Sequence, residues 1–187
     1  MIGYDPYGYM PVLETERLRL RRLTMRDAQD IYEYSRDPQV AQHVLWDAHR
    51  SIGESRAYLR YMLRKYRANE PASWGIELKV TGKIVGTIGY MWIQADNAAA
   101  EVGYSLSRAH WGRGIMTEAL RAVIDYAFDA LRLNRVEAIH ETDNPASGAV
   151  MRKCGMQYEG HLRQKLYNKG RYVDVEMYAI LRSDRAR

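Results

Sequence analysis

Cysteine is nearly absent from this chain: Cys154 stands alone among 187 residues. One thiol makes no internal disulfide, and no His/Cys pair sits at zinc-ligand spacing, so neither a disulfide framework nor a zinc module organises the fold. Long apolar runs are missing as well. The longest near-apolar stretch, Val85 to Ile93, is nine residues long and holds two glycines, against about 18–20 needed to cross a bilayer. The opening MIGYDPYGYMP has no basic n-region and no apolar h-region and does not read as a secretory signal. A cytoplasmic protein without a membrane partner is expected. No Ser/Gly/Pro-rich linker, internal repeat or low-complexity segment interrupts the sequence. That leaves a single domain over 12–187, preceded by a mobile arm over 1–11.

What is present suits a buried core, with 47% hydrophobic and 27% charged residues. Lys and Arg number 28 against 23 Asp and Glu, a formal charge of +5. The excess favours an anionic ligand, since guanidinium groups suit phosphate, and it equally describes an ordinary soluble surface.

Periodicity supplies the elements. Arg17-Leu18-Arg19-Leu20-Arg21 alternates with period two and predicts a half-buried first strand. Thr24 and Asp27 make a capping box that opens a helix toward Tyr34, with Pro38 just beyond. Tyr58, Leu59, Met62, Leu63 and Tyr66 recur at helical spacing over 52–66. Strands follow over 74–78, 83–93 and 101–106, the first two joined through Thr81-Gly82. Ile115, Ala119, Leu120, Val123, Ala127, Phe128 and Leu131 then form the broad apolar stripe of a long helix. A strand over 135–140 leads to a short helix with Asn144 at its cap, Pro145 at its first position and Gly155 at its stop. A hairpin over 157–167 and 172–181 closes the chain.

The segment Arg108-Ala109-His110-Trp111-Gly112-Arg113-Gly114-Ile115-Met116-Thr117 lies between a strand and the long helix. A helix start leaves backbone amides unpaired, and glycines let a phosphate approach the main chain closely. A triphosphate loop needs Gly-x4-Gly-Lys-Ser/Thr, which is absent, and a dinucleotide fingerprint would place its third glycine at Thr117. What remains is a shorter loop holding a pyrophosphate, or a glycine pair that only makes a tight turn.

Taken together with Asn144-Pro145-Ala146-Ser147-Gly148-Ala149-Val150-Met151, the glycine turn resembles the GNAT superfamily of acetyl-coenzyme A-dependent N-acyltransferases. The segments Leu13-Glu14-Thr15-Glu16-Arg17-Leu18-Arg19-Leu20, Glu101-Val102-Gly103-Tyr104 and Asp174-Val175-Glu176-Met177-Tyr178 are most similar to its ribosomal-protein N-terminal acetyltransferase branch. The resemblance spans about residues 13–181. It implies an α+β fold: a mixed, mostly antiparallel sheet of about seven strands, splayed between the fourth and fifth, with about four flanking helices. It also implies acetyl-coenzyme A as cosubstrate, its pantetheine arm near Leu106 and Asn144, and its pyrophosphate on amides of Trp111, Gly112, Arg113, Gly114, Ile115, Met116 and Thr117. Against the family's Gln/Arg-x-x-Gly-x-Gly/Ala, Trp111 and Met116 deviate and Gly114 matches. No metal is implied.

The implied reaction is direct attack of a primary amine on the thioester. The acceptor would be a protein N-terminus such as that of a ribosomal protein, or a small amine: a polyamine, antibiotic or amino acid. An α-amino group has a pKa of about 8 and lysine of about 10.4, so some group must take a proton. Glu101 is the general base or, alternatively, a structural carboxylate. An amide near Leu106 faces the developing oxyanion. Many relatives meet the leaving thiolate with a tyrosine, but that position here is Met151; Ser147 is the substitute, or else simply the third residue of a capped helix, as Asn144 is its cap. His140 is a fallback base and Cys154 a packed thiol. A monomer or homodimer is expected, without direct nucleic-acid readout. The rival class is a non-catalytic acyl-coenzyme A sensor or RNA-docking module.

Overall fold

The computed structural model describes residues 8–186. Within them lie eight strands: β1 (Leu13–Glu14), β2 (Leu18–Arg21), β3 (Ser73–Leu78), β4 (Ile84–Gln94), β5 (Ala99–Leu106), β6 (Arg135–Glu141), β7 (Gln157–Asn168) and β8 (Arg171–Leu181). Five α-helices flank them: α1 (Ala28–Ser35), α2 (Pro38–Ala41), α3 (Ile52–Arg67), α4 (Ile115–Asp129) and α5 (Pro145–Lys153). The strands form one sheet in the order β1-β2-β3-β4-β5-β6-β8-β7. All neighbours are antiparallel except β5 and β6.

Two elements exceed the expected count. β1 is two residues long, too short to show a period, and exists because Leu13 and Glu14 pair with Leu20 and Arg19. Pro38, which reads as a stop, instead occupies the first turn of α2, where Asp37 Oδ1 accepts from the Gln39 amide at 3.0 Å. Proline fits there because its missing N–H would have no helical partner anyway. Of the arm expected over 1–11, residues 1–7 lie outside the described residues. The rest is in contact with the domain: Met10 is buried, the Pro11 carbonyl accepts from the Trp74 indole at 2.7 Å, and the Tyr9 carbonyl accepts from the Tyr126 hydroxyl at 2.8 Å. A fully buried indole N–H requires an acceptor, and this segment supplies it.

The core lies between the sheet and helices on both faces. Leu18 and Leu20 are fully buried while Arg19 faces out, as their alternation requires. On one face α4 packs over Trp74, whose ring meets Tyr90 and Tyr126 edge-on at 5.8 and 5.7 Å, and the Tyr90 hydroxyl donates to the Val123 carbonyl at 3.0 Å; α5 lies beside α4 over β6 and the final hairpin. On the other face α1 rests against β4, where the Ile84 amide donates to Asp30 Oδ2 at 2.9 Å. The capping box forms as the sequence indicates, with Asp27 also held by Arg21 at 2.8 Å. A 3-10 turn over Met25–Asp27 precedes α1.

β5 and β6 diverge. Their register runs Ala99↔Arg135, Ala100↔Val136 and Glu101↔Glu137, and stops. Beyond it β5 stays bonded to β4 as far as Leu106, and β6 to β8 as far as Glu141. Each arm is held by its outer neighbour, so the sheet opens into a gap where the resemblance places it.

Leu120, fully buried on α4, provides a test of this packing. Leu120→Ala should cost about 2–5 kcal/mol by removing buried methyl groups and leaving a cavity. Thermal melting should fall by roughly 5–15 °C.

Candidate active site

The glycine loop is shaped by two left-handed residues, Gly112 at φ 70° and Gly114 at φ 75°. Only glycine takes this region without steric cost, so the pair turns the chain from β5 into α4 within a few residues. Among the described residues, no amide from Gly112 to Thr117 has an acceptor in the protein. The first backbone bond of the helix is Glu118 N–H to the Gly114 carbonyl at 3.0 Å, and Gly114 provides no side-chain cap. Such a run of free donors at the positive end of a helix dipole is an anion site.

The deviating residues are accommodated. Met116 is buried in the core. Trp111 turns back, donating its indole N–H to the Leu106 carbonyl at 2.8 Å, and its main-chain amide donates to the Arg108 carbonyl at 3.1 Å, which corrects the expectation that this amide is open to the pyrophosphate. That carbonyl keeps a second lone pair for a ligand. Arg113 is exposed and makes no ion pair among the described residues, whereas Arg108 is bound to Asp37 at 2.7 Å. Arg17 braces the loop from below, donating to the Arg113 carbonyl at 2.9 Å and to Glu118 at 2.7 Å. Burial would raise the Glu118 pKa, but hydrogen bonds from Thr15 and Arg17 hold it below the ordinary range. A groove of about 940 Å³ runs behind the loop, between residues 12–17 and α4. Asp125 and Asp129 line it along with Arg121 and Lys153.

Alternation along β5 sends its side chains to opposite faces of the gap. Tyr104 faces α5, and its hydroxyl lies 2.9 Å from Ser147 Oγ and 3.3 Å from the Ser147 carbonyl. Burial pushes the Tyr104 phenol well up. Glu101 faces the other way, at the last rung before the gap, with Trp92 and Glu137 as its neighbours in register. Burial raises its pKa and the nearby Glu137 charge adds to the rise, while hydrogen bonding with Trp92 opposes it. Asn144 sits at the cap position of α5, yet its side chain makes no capping bond, which leaves the amide free.

The fallback groups stand apart from Glu101, although His140 Nε2 is buried without a hydrogen-bond partner among the described residues. His140 is buried, stacks on Tyr178 at 5.7 Å and lies 2.8 Å from the Glu141 carbonyl through Nδ1, on the α5 face rather than beside Glu101. Cys154 is buried, its thiol pKa pushed up to about 11 by burial, and its Sγ donates to the Thr117 carbonyl at 3.4 Å.

Sequence reasoning missed Tyr104 as a partner of Ser147, Glu137 as a neighbour of Glu101, and a network at the end of β6. There the buried Glu141 holds His43 Nδ1 at 3.0 Å and Asn168 Nδ2 at 2.5 Å. Lys169 reaches the Trp46 carbonyl at 2.6 Å, so the segment between α2 and α3 is strapped across to the final hairpin. His43, Glu141 and Asp143 are close enough to share a metal. Arg171 already supplies a cation there, 3.9 Å from Glu141 and 3.6 Å from Asp143, and the group is an ion-pair network. The only sequence signal was the period-two parity of β5 and β6, which places Glu101 and Glu137 on one face and Tyr104 on the other.

The model of the GNAT acetyltransferase domain matches residues 17–157. The chain belongs to the GNAT acetyltransferase family. The uncharacterized N-acetyltransferase p20 of Bacillus licheniformis is 34% identical over 177 residues, covering 95% of this chain and 99% of that protein. The ribosomal-protein-serine acetyltransferase of Escherichia coli is 35% identical over 97 residues, covering 52% of this chain and 54% of its own. The solved structure of RimL, a ribosomal alpha-N-protein acetyltransferase in complex with coenzyme A, superposes with a TM-score of 0.81 at 24% identity, covering 91% of this chain and 98% of its own. As a GNAT acetyltransferase the protein is an N-acyltransferase whose cosubstrate is acetyl-coenzyme A. The free amides of the glycine loop, the unpaired edge of β5 and the free Asn144 amide are donors and acceptors that suit this group.

Glu101 should show itself in stability. A carboxyl with a raised folded-state pKa binds its proton more tightly when folded, so stability is lost as pH rises from about 4.3, the ordinary glutamate value, toward the folded value. Glu101→Gln removes that loss. Urea titrations should find the variant more stable than wild type at pH 7, with the difference closing below pH 4.

Proposed function

We propose that this enzyme acetylates the N-terminal amine of a protein, of the kind a ribosomal protein presents. The observation that carries the reading is the two-faced gap: a carboxylate of raised pKa on one side and a hydroxyl on the other, separated by an unpaired strand edge. An acceptor amine and a thioester can meet there from opposite faces. The partial likeness to a ribosomal-protein-serine acetyltransferase supports a protein acceptor. With a ribosomal acceptor the enzyme works in the cytoplasm.

Acetyl-coenzyme A supplies the activated acetyl group. The amides of Gly112 to Thr117, with Arg113 beside them, hold its pyrophosphate by charge-assisted hydrogen bonds worth about 1.5–3 kcal/mol each. The Leu106 backbone and the Asn144 amide position the pantetheine arm. Glu101 takes the proton from the acceptor ammonium, directly or through water; its raised pKa narrows the gap to an α-amino group of about 8. A main-chain amide near Leu106 donates to the carbonyl oxygen as charge develops. Ser147 donates to the departing sulfur. Met151, fully buried, has no proton to give.

Acetyl-coenzyme A at 100-fold excess over its Kd should stabilise the fold by about 2.7 kcal/mol. Offered N-terminal peptides, polyamines and aminoglycosides, the enzyme should release free thiol and acetylated product with the peptides. Turnover confined to a polyamine or an antibiotic overturns the protein acceptor; no turnover on any leaves an acyl-coenzyme A sensor. Glu101→Gln should lower kcat by about 10²–10⁴-fold, the usual contribution of a general base, while cofactor binding persists. In wild type kcat/KM should fall on the acid side with an apparent pKa above the ordinary glutamate value, since only ionised Glu101 accepts the proton.

A further inference from the structure

The geometry points to Tyr104 as a positioning residue for the leaving group: its phenolic O–H donates to Ser147 Oγ and so turns the serine proton toward the departing sulfur. This rests on the reading of Ser147 as the partner of that sulfur.

Proton counting carries the inference. Each hydroxyl has one proton to donate and lone pairs to accept. The pair Tyr104–Ser147 at 2.9 Å therefore has two arrangements. In one, Ser147 donates to Tyr104 and Tyr104 donates to the Ser147 carbonyl at 3.3 Å; the serine proton is then used within the protein. In the other, Tyr104 donates to Ser147 Oγ, and the serine proton is free to point into the gap. Only the second lets Ser147 meet a sulfur, and it needs a donor behind the serine. Among the described residues Tyr104 is the only side chain bonded to Ser147 Oγ. Without it, a serine in the first turn of a helix readily gives its proton to a nearby backbone carbonyl. A donor behind Ser147 also polarises its O–H and strengthens the bond it makes forward.

The step balances without proton loss from either hydroxyl. The C–N bond forms, the C–S bond breaks, and its electron pair stays on sulfur. The amine proton leaves through Glu101 to solvent, and the thiolate takes its proton from solvent on release. Tyr104 is partly buried on the α5 side of β5, and that burial favours the neutral phenol. It therefore acts as a fixed donor rather than as an acid that must be reprotonated in each cycle.

The position also suits the chain's departure from its relatives. Met151, where many relatives carry a tyrosine, is buried and without a donor. Tyr104 brings a phenol to the same gap from the opposite wall, reaching the sulfur through one intervening hydroxyl.

The test compares Tyr104→Phe, Ser147→Ala and the double variant in two measurements. The first is calorimetric selectivity for coenzyme A over desulfo-coenzyme A at pH 9, where much of an alkyl thiol is ionised. The second is kcat with an acceptor peptide. Phenylalanine keeps the ring, and affinity for desulfo-coenzyme A reports whether the site is intact. Tyr104→Phe should lower both the sulfur selectivity and kcat by about 3- to 10-fold, the usual effect of one hydrogen bond, with KM for acetyl-coenzyme A unchanged. In the Ser147→Ala background it should change neither. Equal losses in both backgrounds, weakened desulfo-coenzyme A binding, or no loss from Tyr104→Phe would overturn the role given to Tyr104. Full selectivity and kcat in Ser147→Ala would instead overturn the reading of Ser147.

Discussion

Strand pairing between β5 and β6 ends at Glu101 and Glu137, and the site depends on that lapse. A sheet interior normally satisfies every backbone N–H and C=O, because leaving such groups buried and unpaired is costly. Here each arm keeps its outer partner and opens its inner edge, which presents main-chain groups to a ligand. The gap also separates the two faces of the sheet chemically. Odd positions of β5 carry Glu101 to one side, even positions carry Tyr104 to the other, and the open edge lies between them. This separation of the two faces follows from strand geometry rather than from any single side chain.

Charge is distributed so that little of it remains free near the loop. Arg17 is taken by Glu118, Arg108 by Asp37, and Arg21 by Asp27 and Glu77. Arg113 stands apart from these pairs, beside amides that lack acceptors. The net charge of +5 is therefore a poor guide to phosphate binding; the orientation of backbone dipoles is a better one. The carboxylates divide in the same manner. Glu118, wrapped in donors, is held ionised, whereas Glu101, desolvated and next to another carboxylate, holds its proton to higher pH. Two carboxylates of one chain are thus driven to opposite protonation behaviour by their surroundings, the contrast on which the proton-transfer role proposed for Glu101 rests.

Much of the fold was legible because its signals are local. The alternation of Arg17–Arg21 shows in the burial of Leu18 and Leu20, the Thr24–Asp27 capping box forms, and Gly112 and Gly114 adopt left-handed conformations that other residues resist. Gly155 ends α5 in the same conformation. Where a local signal misled, a second local rule had prevailed: Pro38 starts a turn of helix because Asp37 caps it. Asn144 occupies the predicted cap position without performing the capping bond, a difference that only side-chain orientation reveals. Met116, which deviates from the family's phosphate motif, is part of the core.

The sequence by itself determined most of the elements, their order, the glycine turn ahead of the long helix and the membership of Glu101 and Tyr104 on opposite strand faces. These follow from steric limits on φ and ψ and from the period of side chains along strand and helix, which act over a few residues. Only the tertiary structure decided that Tyr104 meets Ser147, that Glu137 stands beside Glu101, and that His43 reaches Glu141 across the end of β6. Those contacts join residues dozens of positions apart. They depend on how far the arms diverge and where α5 settles against them, quantities set by the packing of the whole sheet rather than by any stretch of chain.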